Sequence, residues 1–305
     1  MLFRRTAVKT LLFIYNPTSG KGKISSGLSA ILDTFSKAGF LVTAYPTQGK
    51  GDATRVVREL GPNFDRVVCS GGDGTLSETV TGLMALDHPP VLGYIPTGST
   101  NDCASTLQLP KNASKAAVVA ASQGRLRPLD IGKLNGHPFV YVAAFGAFTE
   151  VAYDTPQELK NTFGHLAYVL AGIASIPSIT PYHLKIEYDN DQVIEDDFYY
   201  GMVCNTLSVG GMKALNPSDI SLDDGLFEVV LVKRPVSLLE LGASLQSLIQ
   251  KSNVEGSALI SFKASRITFT SQNAIPWTLD GEYGGSSETN VVEICPRAIT
   301  VIHGE

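Results

Sequence analysis

An open parallel α/β domain followed by a β-rich sandwich is the fold class that this 305-residue sequence predicts, and three observations predict it. Over residues 1–130 short apolar runs alternate with stretches of helical periodicity, the pattern of βαβ units feeding a parallel sheet. From about Asp130 the texture changes to closely spaced β-rich runs separated by Gly, Pro, Asn and Asp turns, as in an antiparallel sandwich or barrel. With 44% hydrophobic and 17% charged residues the chain can fill sizeable cores and is too apolar for a disordered one. The expected domains are therefore 1–130, α/β, and 131–305, β-rich, with the C-terminal end able to return to the first.

Taken in order, the runs Leu11 to Tyr15, Leu41 to Tyr45, Arg66 to Ser70 and Val91 to Ile95 predict four strands. Between the first two, Ile24, Leu28, Ile31, Leu32 and Phe35 recur at spacings of three and four, which places them on one helix face. Asp52 to Leu60 and Leu76 to Met84 repeat the pattern more weakly, and Ser114 to Gln123 predicts an alanine-rich helix. In the second half the strand candidates are Phe139 to Phe145, His183 to Tyr188, Tyr199 to Cys204, Leu226 to Val232, Ile267 to Thr270, Ala274 to Leu279 and Val291 to Ile294. Two helical stretches, Pro156 to Ile173 and Leu238 to Ile249, interrupt them, and there is no internal repeat or long linker.

Charge and cysteine usage exclude several classes. Twenty-four Lys and Arg against 29 Asp and Glu leave a net charge of −5, which disfavours a general nucleic-acid binder. Cys69, Cys103, Cys204 and Cys295 are far apart and form no CxxC pair, so they read as reduced thiols of a cytoplasmic protein. The five histidines, His88, His137, His165, His183 and His303, show no zinc-ligand spacing. No export signal is visible, and the most apolar stretch, Leu166 to Ile176, ends at Pro177, short of the roughly 18 residues a membrane-spanning helix needs.

Ligands of open parallel sheets collect at the carboxyl ends of the strands. The first strand is followed by Asn16, Pro17, Thr18, Ser19, Gly20, Lys21 and Gly22, opening a helix. Glycines there admit close backbone approach, and free N–H groups at a helix start attract an anion; an ordinary strand-to-helix turn would read the same way. The loop is not a Walker A motif, since GxxxxGK[ST] does not match. After the third strand comes GGDGTLSE, Gly71 to Glu78. A carboxylate inside an anion-binding loop would repel phosphate unless a metal or a reacting proton intervenes, so Asp73 points to Mg²⁺. The alternative is a cap, with Thr75 and Glu78 suited to a capping box. The fourth strand ends in PTGSTND, Pro96 to Asp102, where Ser99 and Thr100 offer hydroxyls and Asp102 a second carboxylate.

Together with PTQGKGDA (46–53), LDIGKLNG (129–136), KNTFGHLAYVLAGI (160–173), LDDGLFEVVLV (222–232) and DGE (280–282), these motifs resemble, in family order, the soluble bacterial diacylglycerol kinases and related lipid kinases. The resemblance implies a nucleotide-binding domain like those of NAD kinase and diacylglycerol kinase, joined to a β-sandwich. It implies that ATP is held by Asn16 to Gly22, Thr47, Gly72, Asp73, Gly74, Thr75, Leu76, Ser77, Glu78 and Ser99, with serine standing where the family usually has threonine. Cys103 replaces a common aromatic residue, which touches packing rather than chemistry. Asp73, Asp102 and Asp130 would form a water-bridged network around the catalytic Mg²⁺, Ser221, Asp224 and Leu226 a second, structural Mg²⁺ site, and Glu282 the general base. A lipid alcohol is un-ionised at neutral pH, so a carboxylate to accept its proton is a reasonable requirement, and the mixed setting of Glu282 after Trp277 and Leu279 would raise its proton affinity if partly buried.

The implied activity is ATP-dependent phosphorylation of a membrane-lipid hydroxyl, most directly diacylglycerol to phosphatidic acid. A kinase of another lipid alcohol (a sphingoid base or phosphatidylglycerol) and an NAD kinase-like phosphotransferase, which would share the GGDGT loop, are the alternatives. The implied setting is cytoplasmic and peripheral at the inner face of the membrane, as a homodimer. The helix at 163–173 is a candidate wall for the lipid, with packing in the β domain as the other reading. Arg4, Arg5 and Lys9 are candidates for contact with anionic headgroups or a solvated tail.

Overall fold

The computed structural model describes residues 8–98, 101–122, 124–146, 180–189, 191–205, 208–209, 212–213, 221–233 and 259–304. The expected helices at 156–173 and 238–249, the candidate lipid wall at 163–173, Ser99, Arg4 and Arg5 lie outside them. The chain divides into two compact units, Met1–Leu129 with Arg297–Glu305, and Asp130–Pro296.

In the first unit four parallel strands, β1 (Lys9–Tyr15), β2 (Phe40–Pro46), β3 (Arg66–Gly71) and β4 (Val91–Pro96), lie in the order β2-β1-β3-β4. Each extends the predicted strand by one or two residues. Leu11 to Ile14 and all of β3 are buried, because a parallel sheet covered on both faces needs continuous apolar runs. Helices α1 (Lys23–Lys37), α2 (Asp52–Leu60), α3 (Asp73–Leu83), α4 (Asp102–Thr106) and α5 (Ala113–Ala121) complete it. Ile24, Ile31 and Phe35 of α1 share a core with Ala117 of α5 and with Leu11, Phe13 and Ile95 of the sheet. Arg66 is buried; its guanidinium donates to the carbonyls of Ala120 and Ser122 (2.9 and 2.8 Å) and lies 4.9 Å over the Phe40 ring, so a cation closes the carboxyl end of α5.

In the second unit the strands are β5 (Leu126–Leu134, begun in the first unit), β6 (His137–Phe139), β7 (Val142–Gly146), β8 (Tyr182–Tyr188), β9 (Gln192–Phe198), β10 (Tyr200–Cys204), β11 (Ser208–Val209), β12 (Met212–Lys213), β13 (Phe227–Val232), β14 (Leu259–Ala264), β15 (Arg266–Leu279) and β16 (Glu282–Ile302). They pair antiparallel in the order β14-β13-β10-β7-β15-β16, with β8 and then β9 joined to the other end of β15. The register of β15 breaks between Thr270 and Ile275, so its first part pairs with β8 and its last part with β7. Phe145, Phe269 and Trp277 meet in the core with ring centroids 4.8–5.7 Å apart. From Arg297 the chain belongs to the first unit again. There Val301 pairs parallel to Leu92 of β4, and the Gly304 N–H donates to the Leu107 carbonyl (2.9 Å).

The sequence reading is corrected in three places here. The run Phe139 to Phe145 is two strands, because the N–H groups of Val140, Tyr141 and Val142 turn onto the Asp280 carboxylate instead of a neighbouring strand (2.8, 3.0 and 3.2 Å). The runs Ile267 to Thr270 and Ala274 to Leu279 are one strand, carried through the bulge by polar residues 271–273. Helix α3 starts at Asp73 rather than Leu76, since its first turn is polar and carries no apolar signal.

Candidate active site

Parallel register brings the carboxyl ends of the first unit's strands level: Tyr15 pairs with Pro46 and Ser70, and Gly71 with Pro96. The loops that follow therefore begin side by side. Asn16 donates its N–H to the Ser70 carbonyl (2.9 Å), and its side-chain oxygen accepts from the Thr18 N–H (3.0 Å) and hydroxyl (2.8 Å), folding the start of the loop into an Asx turn. Ser19–Gly22 then make one 3-10 turn that leads into α1. The Thr47 N–H donates to the Tyr15 carbonyl (2.9 Å), which sets the loop after β2 beside the first.

Two close approaches lock the loops together. Gly20 has φ +57°, and a Cβ there would lie 2.1 Å from the Thr97 carbonyl oxygen. A Cβ on Gly98 would lie 2.4 Å from the Gly72 Cα, so only glycines allow the third and fourth loops to touch. Asn101, itself at φ 56°, ties the last loop by accepting from the Gly98 N–H (2.9 Å) and donating to the Gly98 carbonyl (2.7 Å). Thr97, Gly98 and Asn101 lie in the PTGSTND run, where residue type alone singles out the hydroxyls and Asp102; backbone-to-backbone approach leaves no signature beyond the glycine.

Asp73 occupies the first turn of α3 behind Gly72, which makes no side-chain cap. One Asp73 oxygen accepts the Asp102 N–H at 3.3 Å, and the other is buried with no partner among the described residues. Burial raises the Asp73 pKa above its ordinary 3.8, and the neighbouring Asp102 carboxylate pushes the same way. Asp102 is buried. An orphaned buried carboxylate oxygen with a second carboxylate nearby is a donor set that suits a hard divalent cation. Glu78 does something else. Its carboxylate accepts the N–H groups of Gly51 (2.7 Å) and Ala53 (3.3 Å), and its carbonyl accepts the Thr54 hydroxyl (2.8 Å), so it caps α2 and forms no capping box for α3. Cys69 beneath this edge is fully buried, with its thiol pushed up to about 12, and is chemically inert.

The remaining candidates lie in the second unit. Asp130 is fully buried; its carboxylate accepts the Gly225 N–H (2.7 Å), and its own N–H donates to the Leu222 carbonyl (2.8 Å). The Asp224 carboxylate accepts the Leu226 N–H (3.1 Å) and lies 3.3 Å from the Lys263 ammonium, while the Ser221 hydroxyl donates to Asp223 (3.0 Å). Among the described residues no group of three or more His, Cys, Asp or Glu is placed to hold a metal alone. Glu282 opens β16 after the turn Asp280–Gly281, whose φ values of 50° and 85° make a two-residue hairpin. It is exposed, so the partial burial that would raise its proton affinity is not met; it stands at the hairpin tip, paired with Leu279 and followed by the exposed Tyr283. Sequence reasoning passed over Asp280, whose buried carboxylate holds three backbone N–H groups and whose carbonyl accepts the Tyr141 hydroxyl (3.1 Å). An Asp-Gly turn looks the same in sequence with or without that task.

A parallel α/β unit with a glycine-lined loop edge, followed by an antiparallel β unit, suits a phosphate-bearing ligand, and comparison with known proteins says to which class the chain belongs. Residues 10–134 match the diacylglycerol kinase catalytic domain, and residues 143–303 match the YegS C-terminal NAD kinase beta sandwich-like domain. The diacylglycerol kinase of Bacillus subtilis (strain 168) is 37% identical over 91% of each chain. That of Staphylococcus carnosus (strain TM300) is 36% identical over 94% of this chain and 92% of its own. A crystal structure of a diacylglycerol kinase from Bacillus anthracis str. Sterne superposes with a TM-score of 0.78 at 27% identity, covering 98% of both chains. An NAD kinase from Archaeoglobus fulgidus, in complex with ATP, shares the fold at a TM-score of 0.54 and 13% identity. The chain belongs to the diacylglycerol kinase family and is a lipid kinase. Membership implies ATP and a divalent metal as the working parts. No helix among the described residues is long and apolar enough to cross a membrane.

Proposed function

We propose that this chain transfers the γ-phosphoryl group of ATP to the hydroxyl of diacylglycerol, giving phosphatidic acid. The observation that carries the proposal is the closure of the loops at Gly20, Gly72 and Gly98 on one strand edge, beside the unpartnered oxygen of Asp73. Phosphoryl transfer asks for positioning and charge neutralisation more than covalent chemistry. On this reading residues 16–22 and 72–75 line the phosphate site, with Thr47, Leu76, Ser77 and Ser99 completing the nucleotide site. Glu78 contributes by holding the start of α2. Asp73 and Asp102, with Asp130, would hold Mg²⁺, which when bound neutralises charge on the transferring group. Glu282 takes the proton of the attacking hydroxyl as its oxygen bonds to the γ-phosphorus and the bond from that phosphorus to the departing ADP breaks, and its exposed position suits a group that must reach a lipid substrate. Residues 1–130 would serve the nucleotide and 131–305 the lipid. The enzyme would work as a homodimer in the cytoplasm, peripherally at the inner face of the membrane where its substrate resides.

The shared fold of the Archaeoglobus NAD kinase makes NAD the acceptor to exclude. Incubation with γ-labelled ATP, Mg²⁺ and a panel of diacylglycerol, sphingosine, phosphatidylglycerol and NAD is expected to label phosphatidic acid above all other products. Label on NAD and on no lipid would overturn the proposal.

A further inference from the structure

The 222–226 turn matches the position of a second, structural cation, yet its carboxylate is already committed. One Asp224 oxygen accepts the Leu226 N–H at 3.1 Å, and the other faces the Lys263 ammonium at 3.3 Å. Lys263 also lies 2.9 Å from Glu228. Its placement is not a surface accident: Lys263 on β14 stands directly opposite Glu228 on β13 in the antiparallel register, so the sheet delivers the ammonium to this spot. Glu228 is buried, which raises its pKa, and Lys263 is the cation that opposes that rise. The same residue therefore balances a buried carboxylate and a loop carboxylate.

A Mg²⁺ ion sits about 2.1 Å from its oxygens and wants a full octahedron of them. On the Asp224 oxygen it would have to displace the ammonium or stand beside it as a like charge. Displacement would leave Glu228 buried without its countercharge, which is the costly way to break an ion pair. The donor set at this turn thus fits a bound ammonium better than a second divalent ion. We propose that in this chain Lys263 stands in for the structural cation, clamping Asp224 to Glu228 so that the 222–226 turn is held without a metal. The turn matters because its Gly225 N–H is bonded to Asp130.

The inference concerns only the second site and is independent of which alcohol is phosphorylated, so it is tested without turnover. Nucleotide-free full-length protein is titrated with Mn²⁺ and followed by electron paramagnetic resonance, alongside melts in EDTA and in Mg²⁺. Wild type and Asp224→Asn are expected to bind the same number of Mn²⁺ ions and to show the same Mg²⁺-dependent shift in Tm. Lys263→Met is expected to melt about 2–4 °C below wild type in EDTA. A wild type that binds one more Mn²⁺ than Asp224→Asn and gains a Mg²⁺-dependent Tm rise that the variant lacks would overturn the proposal. So would a Lys263→Met chain that melts like wild type in EDTA.

Discussion

Asp73 carries a negative charge into a half-buried loop that already faces Asp102, and its pKa rises as a result. A carboxyl whose folded pKa exceeds its unfolded value binds more protons when folded, so stability falls as pH climbs from 3.8 through the raised value, and the penalty persists at neutral pH. Removing the charge should therefore stabilise the metal-free protein. Asp73→Asn is expected to raise Tm in EDTA at neutral pH by about 2 °C or more while lowering phosphoryl transfer by about 10²–10³-fold, the trade common at active sites. Calorimetry and a kinase assay on the same preparation check both halves. Glu78 gives the opposite signature. Its two charge-assisted bonds to the start of α2 make Glu78→Ala destabilising by about 1–3 kcal/mol in urea titrations, with the loop that carries Thr47 loosened alongside.

At the scale of elements, short side chains hold the turns that long strands depend on. Asp189 accepts the N–H groups of Ser265 and Arg266 and the Ser265 hydroxyl (2.8, 3.1 and 2.9 Å), joining the β8–β9 hairpin to the start of β15. Those bonds hold its pKa below 3.8, so the stability they supply is present above that value and is lost as pH falls through the lower folded one. Asp189→Ala should cost about 1 kcal/mol at neutral pH, and the difference from wild type should vanish in urea melts well below 3.8. The strands of the first unit were legible because each is a continuous apolar run bounded by glycine or proline. Helices α1 and α2 were legible from their spacing. Two misses have little apolar signal: β9 reads QVIEDDF, and β16 is 21 residues long with a polar first half, of which only Val291 to Ile294 was expected; β5 and β14 were missed although they carry buried apolar residues, because charged residues and proline interrupt their runs. The loop motifs announced a site by their order along the chain. The locking of Gly20 on Thr97 and Gly72 on Gly98 was not visible, because it depends on atoms that no residue type names.

For the whole molecule, the chain passes from one unit to the other through β5 and returns through β16, so the first unit is made of two segments and the second lies between them as one. Ile299, Val301 and Ile302 are buried in the first unit, each worth about 1.5–3 kcal/mol. A fragment that stops at Leu129 is therefore expected to stay unfolded by circular dichroism, whereas adding residues 297–305 in trans should restore structure. The proposed transfer needs a carboxylate base, proposed above to be Glu282. It is tested most directly by single-turnover transfer of γ-labelled phosphate from ATP to a short-chain diacylglycerol, in wild type and in Glu282→Gln. The account predicts labelled phosphatidic acid from wild type and a rate about 10²–10⁴-fold lower in the variant, with ATP affinity unchanged. Equal rates from the two proteins, or no label on the lipid in either, would contradict it.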